Sequence, residues 1–173
     1  MFRHAKTKFD KLIKEGKKTT HSQLLPLAIK NRLNTYSPLV GAGIRIKTVD
    51  LDNGLCVVTL PLTRLNRYTG GIQFSGSVMM LTEPLLRVLL THRLGKNYTV
   101  QDKSMQVEFF GDIYGDITAR VRLDTEQLLE IIEQVATEGE IQRVFCIDIT
   151  DNHQKVVARV TRTFVIALKN KPV

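Results

Sequence analysis

At 173 residues with 43% apolar content, the chain is long enough for one domain with a substantial core, since a chain of about 150 residues buries roughly 70% of its unfolded surface. No apolar run approaches the roughly 18 to 20 residues of a membrane span, and the N-terminus is charged where a signal peptide is apolar. The expectation is therefore an intracellular, bacterial-type cytoplasmic protein without an integral membrane segment. A net charge of +8 attracts anions in general, whether nucleic acid, acidic lipid or small phosphates, and selects none of them.

Residues 2–15 set Phe2, Ala5, Phe9, Leu12 and Ile13 at helical spacing opposite Lys6, Lys8, Lys11 and Lys14, which predicts a basic amphipathic helix. It reads either as a packing arm or as a membrane-surface helix, and Asp10 and Glu15 argue against a mitochondrial transit peptide. After the break at Gly16 to Thr20, Ser22 to Asn34 predicts a second helix with Ser22 as N-cap, or a start nearer Pro26. Residues 1–35 thus form a helical arm and residues 36–173 the main domain.

From Gly43 the apolar period becomes two. Ile44 and Ile46 alternate with Arg45 and Lys47, Asp52-Asn53-Gly54 supplies a hairpin turn, and Cys56, Val58, Leu60 and Leu62 share a face. The phase slips between Ile46 and Val49, which predicts a bulge. Next come the turn at Gly70-Gly71 and a helix from about Phe74 to Leu94 that is apolar nearly all round, so protein must enclose it. Pro84 is expected to kink this helix and Gly95 to end it. Strands follow over 98–112 and 116–124, then a helix over 125–138, then strands over 141–151 and 155–168. The order is that of an α+β domain with one curved antiparallel sheet of about six strands around a long helix.

Cys56 and Cys146 lie in Val/Ile-rich runs, which suits small buried hydrophobes better than a disulfide. His4, His21, His92 and His153 are scattered without ligand spacing, so neither a metal nor another cofactor is expected. The glycine-rich turn carries more chemistry. Gly70, Gly71 and Gly76 let backbone amides approach a ligand, and the first amides of the helix lack intrahelical acceptors, so they can grip a carbonyl oxygen or oxyanion. The helix holds one carboxylate, Glu83.

Gly71-Ile72-Gln73-Phe74-Ser75-Gly76-Ser77 followed by Glu83-Pro84 resembles the helix start of hotdog-fold acyl-thioester hydrolases. Within them it resembles the DUF4442 branch, whose pattern reads roughly G-T-x-F-G-G-S and then D-P; Ile72, Ser75 and Glu83 depart from it. Leu33 to Arg45, with Pro38 ahead of Gly41-Ala42-Gly43-Ile44-Arg45, and Val100 to Ser104 resemble two further segments in the same order. The likeness runs over about residues 31 to 168. It implies the hotdog fold, a homodimer or tetramer, and hydrolysis of acyl-CoA or acyl-carrier-protein thioesters.

By the same resemblance, the N–H groups of Ser75 and Gly76 would hold the oxyanion, and Glu83, eight positions after Ser75, would activate water or attack the thioester. Asn66, Gly71, Phe74, Ser77 and Lys103 would contact substrate. Structural readings stand beside these. Glu83 can pair with Arg87 at i+4, Ser75 can be an N-cap, Asn66 can satisfy its own loop, and Asp102-Lys103 can be a strand-start ion pair. Arg120, Arg122 and Arg159 read as a solvated outer stripe or a phosphate patch. A non-catalytic acyl-thioester binder of the same fold is the alternative function. Nucleic-acid binding is not expected, since the arm lacks aromatic stacking platforms and no helix-turn-helix is apparent.

Overall fold

The computed structural model describes residues 24–169; the helix expected over 2–15 and the cap expected at Ser22 lie outside them. Helix α1 covers residues 24–35, and the one-turn α2, Ser37–Gly41, leads into β1, Arg45–Asp50. A turn with Gly54 at φ +64 joins β1 to β2, Leu55–Leu60. Asp50 closes this turn by accepting from the Asn53 backbone N–H at 3.0 Å and from Asn53 Nδ2 at 2.8 Å. Those bonds, the side-chain one first, hold the Asp50 carboxyl below the usual range.

The long apolar segment folds as two helices, α3, Ser75–Met80, and α4, Leu85–Leu94, rather than one kinked rod. Pro84 has no N–H to give the helical ladder and disfavours the helical conformation in the residue before it. Residues 81–84 accordingly form tight turns, with Glu83 N–H bonded to Met80 O at 3.1 Å and Leu85 N–H to Thr82 O at 3.0 Å, and the Glu83–Pro84 peptide is cis. Gly95 ends α4 at φ +84. Strands β3, Tyr98–Phe109, and β4, Ile117–Arg122, precede helix α5, Thr125–Glu138, whose first turn is closed by a capping box between Asp124 and Gln127. Strands β5, Glu140–Asp151, and β6, Val156–Leu168, follow.

The six strands of the described residues form one antiparallel sheet in the order β1-β2-β4-β5-β6-β3. The expected bulge falls between Ile46 and Thr48. Val78, Leu81, Leu85, Leu86, Leu89 and Leu90 from the broken helix are fully buried against the inward residues of the strands. Helix α4 packs on β3 and α5, and α5 on β5 and β6. The sheet's two edges differ. At β1, the Asn34 side chain accepts from Ile46 N–H at 2.8 Å and donates to Ile46 O at 3.0 Å, as a neighbouring strand would. At β3, both faces are exposed from Gln101 to Gln106.

The expectation that both cysteines are buried holds for Cys56 alone; Cys146 is exposed. In β5 the inward phase belongs to Phe145, Ile147 and Ile149, so an apolar run does not bury the residue between them. Burial, followed by the Asp50 charge, pushes the Cys56 thiol up to about 12. At pH 8 a thiol reagent is therefore expected to modify one cysteine per native chain and two after unfolding; two fast-reacting thiols in the native protein would contradict this burial.

Candidate active site

The segment before α3 is held extended by pairing with the β3–β4 connection. Gln73 N–H donates to Ile113 O at 2.9 Å, and Ile72 bridges Tyr114. The Gln73 side chain, 2% exposed, donates from Nε2 to Leu60 O at 3.1 Å and Gly115 O at 3.0 Å. This tie places Phe74, not Ser75, at the N-cap, with φ −67 and ψ 117 and no side-chain cap. Ser75 is instead the first helical residue, its Oγ 2.9 Å from the Tyr68 hydroxyl. The first N–H groups bonded back are those of Ser77 and Val78, both to Phe74 O at 3.0 and 3.2 Å. Ser75 and Gly76 occupy the two positions before them, where a helix offers no acceptor.

Gly71 and Gly76 are held for different reasons. Gly71 sits at φ +81, and its N–H is spent on Tyr68 O at 3.1 Å. At Gly76 a Cβ would lie 2.6 Å from Phe74 Cε1, so glycine is what lets the Phe74 ring lie on the helix. That ring is half exposed and meets Tyr68 edge to face at 5.3 Å. Tyr68, Gln73, Ser75 and Phe109 line a cavity of about 290 Å³. Ser77 is buried. Asn66 is buried as well, and its side chain is committed to its own loop: Oδ1 accepts from Thr63 N–H at 2.7 Å and Thr63 Oγ1 at 2.8 Å, while Nδ2 donates to Pro61 O at 2.8 Å.

Glu83 lies at the break between α3 and α4 with its side chain 41% exposed, and lines a second cavity of about 260 Å³ with Asp102, Lys103, Ser104, Met105 and Arg162. Its ion-pair partner is Arg162, at 2.6 Å from Nη2 to Oε2, and not Arg87. The i+4 pairing presumes an unbroken helix, and Pro84 removes that geometry. Arg87 turns instead to Asp102, 3.4 Å away, which Arg162 also contacts. The expected Asp102–Lys103 pair is thereby replaced, and Lys103 Nζ donates to Gln142 Oε1 at 2.7 Å. The structure thus brings Glu83 and Lys103 to one cavity and Ser75 to another within a single chain. Arg120, Arg122 and Arg159 are exposed, and Arg159 is paired with Asp148 at 2.6 Å.

Arg162 is the site residue that the sequence reading passed over. Its signal was present: it shares strand phase with Val160 and Phe164, so an inward-facing arginine could have been read from alternation alone.

A single antiparallel sheet packed over a central helical segment is the hotdog fold. The profile of the family described as a domain of unknown function, DUF4442, matches residues 28–166, and the chain belongs to that family. No curated protein matches the sequence. Among solved structures, the protein PA5026 from Pseudomonas aeruginosa, described as a probable thioesterase, is 19% identical, with TM-score 0.70 over 81% of this chain and 93% of that one. Thioesterase HI1161 from Haemophilus influenzae is 18% identical, with TM-score 0.58 over 80% and 87%. The PaaI protein of the E. coli phenylacetic acid degradation operon is 15% identical, with TM-score 0.58 over 87% and 95%. Among the described residues no helix is long and apolar enough to cross a membrane.

Proposed function

We propose that the protein hydrolyses acyl thioesters of coenzyme A or of an acyl carrier protein, with Glu83 as the catalytic carboxylate. The observation that carries this reading is Glu83 itself, half exposed beside a cavity yet fastened by a buried arginine. As general base, Glu83 takes a proton from water while the water oxygen bonds to the thioester carbon. The developing oxyanion is met by the N–H groups of Ser75 and Gly76, and collapse breaks the C–S bond, with the proton passing to the departing thiolate. Direct attack by Glu83, giving an acyl-enzyme anhydride that water then cleaves, uses the same groups.

The reading calls for a second copy. Ser75 and Glu83 line different cavities of one chain, and β3 pairs with β6 on one side only. A homodimer joined at this edge would set one copy's cavities against the other's, with Lys103 at the rim and Phe74 facing the substrate. A cavity of about 630 Å³ lined by Pro84, Leu25, Ile29, Val88 and Tyr98 would give an acyl chain an apolar wall.

Thiol release from short-, medium- and long-chain acyl-CoAs tests the proposal, with turnover expected for at least one chain length. One observation favours the binding reading, namely that an oxygen of Glu83 is already occupied by Arg162. That reading predicts no turnover on any substrate together with a rise in Tm on adding acyl-CoA.

A further inference from the structure

Along the inner face of β6, Ala158, Val160, Phe164 and Ile166 are buried apolar residues, and Arg162 occupies the same phase at 3% exposure. Its guanidinium lies over the Phe164 ring, 5.1 Å from the centroid. Nη2 serves two carboxylates, Glu83 from the helix break and Asp102 from the edge strand, whereas Nε and Nη1 are buried without a hydrogen-bond partner among the described residues. Burying a guanidinium forfeits its hydration, and nitrogens left unbonded add to the cost. An aliphatic side chain would pack this position more cheaply, so stability does not account for the arginine.

What the arginine does is geometric. Glu83 sits in a turn between two helices, not within a helix that would fix its direction. Arg162 reaches it from the floor of the sheet and holds Oε2, leaving Oε1 without a partner among the described residues, beside the cavity that Glu83 lines. Arg162 is held in turn by Phe164 beneath it and by Asp102, which Arg87 also contacts. We propose that Arg162 is a positioning residue for thioester cleavage, clamping one oxygen of Glu83 so that the other is directed at the attacking water or the thioester carbon. The proposal rests on Glu83 being the catalytic carboxylate and adds the residue that aims it.

The test compares wild type, Arg162→Lys, Arg162→Met, Glu83→Gln and the double variant Arg162→Met/Glu83→Gln in acyl-CoA hydrolysis. Misplacing a reacting group by about 1 Å costs roughly 10²-fold, so Arg162→Met is expected to lower kcat by about that factor with KM nearly unchanged. Arg162→Lys, which keeps the charge but not the fork, should recover part of the loss. In the Glu83→Gln background Arg162→Met should have no further effect, because it acts through Glu83. A folded Arg162→Met with wild-type kcat, a loss confined to KM, or an equal loss in the Glu83→Gln background would each overturn the proposal.

Failure of the underlying reading looks different, as no thioester turnover at all or full turnover by Glu83→Gln. Crystal structures test the contact itself alongside the kinetics: Glu83 ordered on Arg162 in the wild type and disordered or turned away in Arg162→Met supports the clamp. Glu83 unmoved in Arg162→Met, or in Arg162→Lys should the methionine variant not fold, sinks it.

Discussion

Glu83→Gln is expected to lower kcat for acyl-thioester hydrolysis by about 10² to 10⁴-fold, the range for loss of a positioned general base, and to leave KM close to its wild-type value. Glutamine keeps the length and shape of the side chain but cannot take a proton from water or attack the thioester. It also keeps an oxygen for Arg162, so the local structure should persist; Arg162 would then sit beside one carboxylate, Asp102, instead of two. Equal stability with lost turnover in parallel assays of Tm and thiol release is the expected pair of results. Wild-type kcat in this variant would remove Glu83 from the chemistry and return it to a structural ion pair.

Phe164→Ala is expected to give the largest loss of stability at a single side chain near the site. Phe164 is fully buried, meets Phe145 edge to face with centroids 6.0 Å apart, and supports the Arg162 guanidinium. Truncating a buried phenylalanine costs about 3–5 kcal/mol, and at roughly 2–4 °C per kcal/mol for a chain of this size the Tm should fall by about 6–20 °C. Phe164→Leu, which keeps most of the volume but not the ring face under the cation, should lose less. Activity is expected to fall with both, because the floor under Arg162 is disturbed. A cost below about 1 kcal/mol for Phe164→Ala would mean that the ring is not packed as described.

Local signals were readable from the sequence where the chain's neighbours in space are also its neighbours in order. Helix α5 is expected over 125–138 and found there, and a capping box between residues three apart defines its start. The bulge in β1 showed as a slip in apolar phase because a bulge shifts every later side chain across the sheet. Misreadings came where tertiary contacts override spacing. The Glu83–Arg87 pair failed because i+4 adjacency vanishes when Pro84 breaks the ladder. The cap moved from Ser75 to Phe74 because pairing of Gln73 with Ile113 keeps the chain extended one residue longer. The strand phase of Arg162 points inward, whereas an arginine in a strand ordinarily reads as surface.

The contrast between the two edges of the sheet bears on how large an assembly can grow. Two copies that joined through their β3 strands would use the edge that is exposed on both faces among the described residues, and what then faced outward at either end would be β1, where Asn34 already occupies the Ile46 backbone groups. A further strand would find the Ile46 groups already taken, so a pair joined through β3 would present at its ends an edge less ready to propagate the ribbon into a fibre.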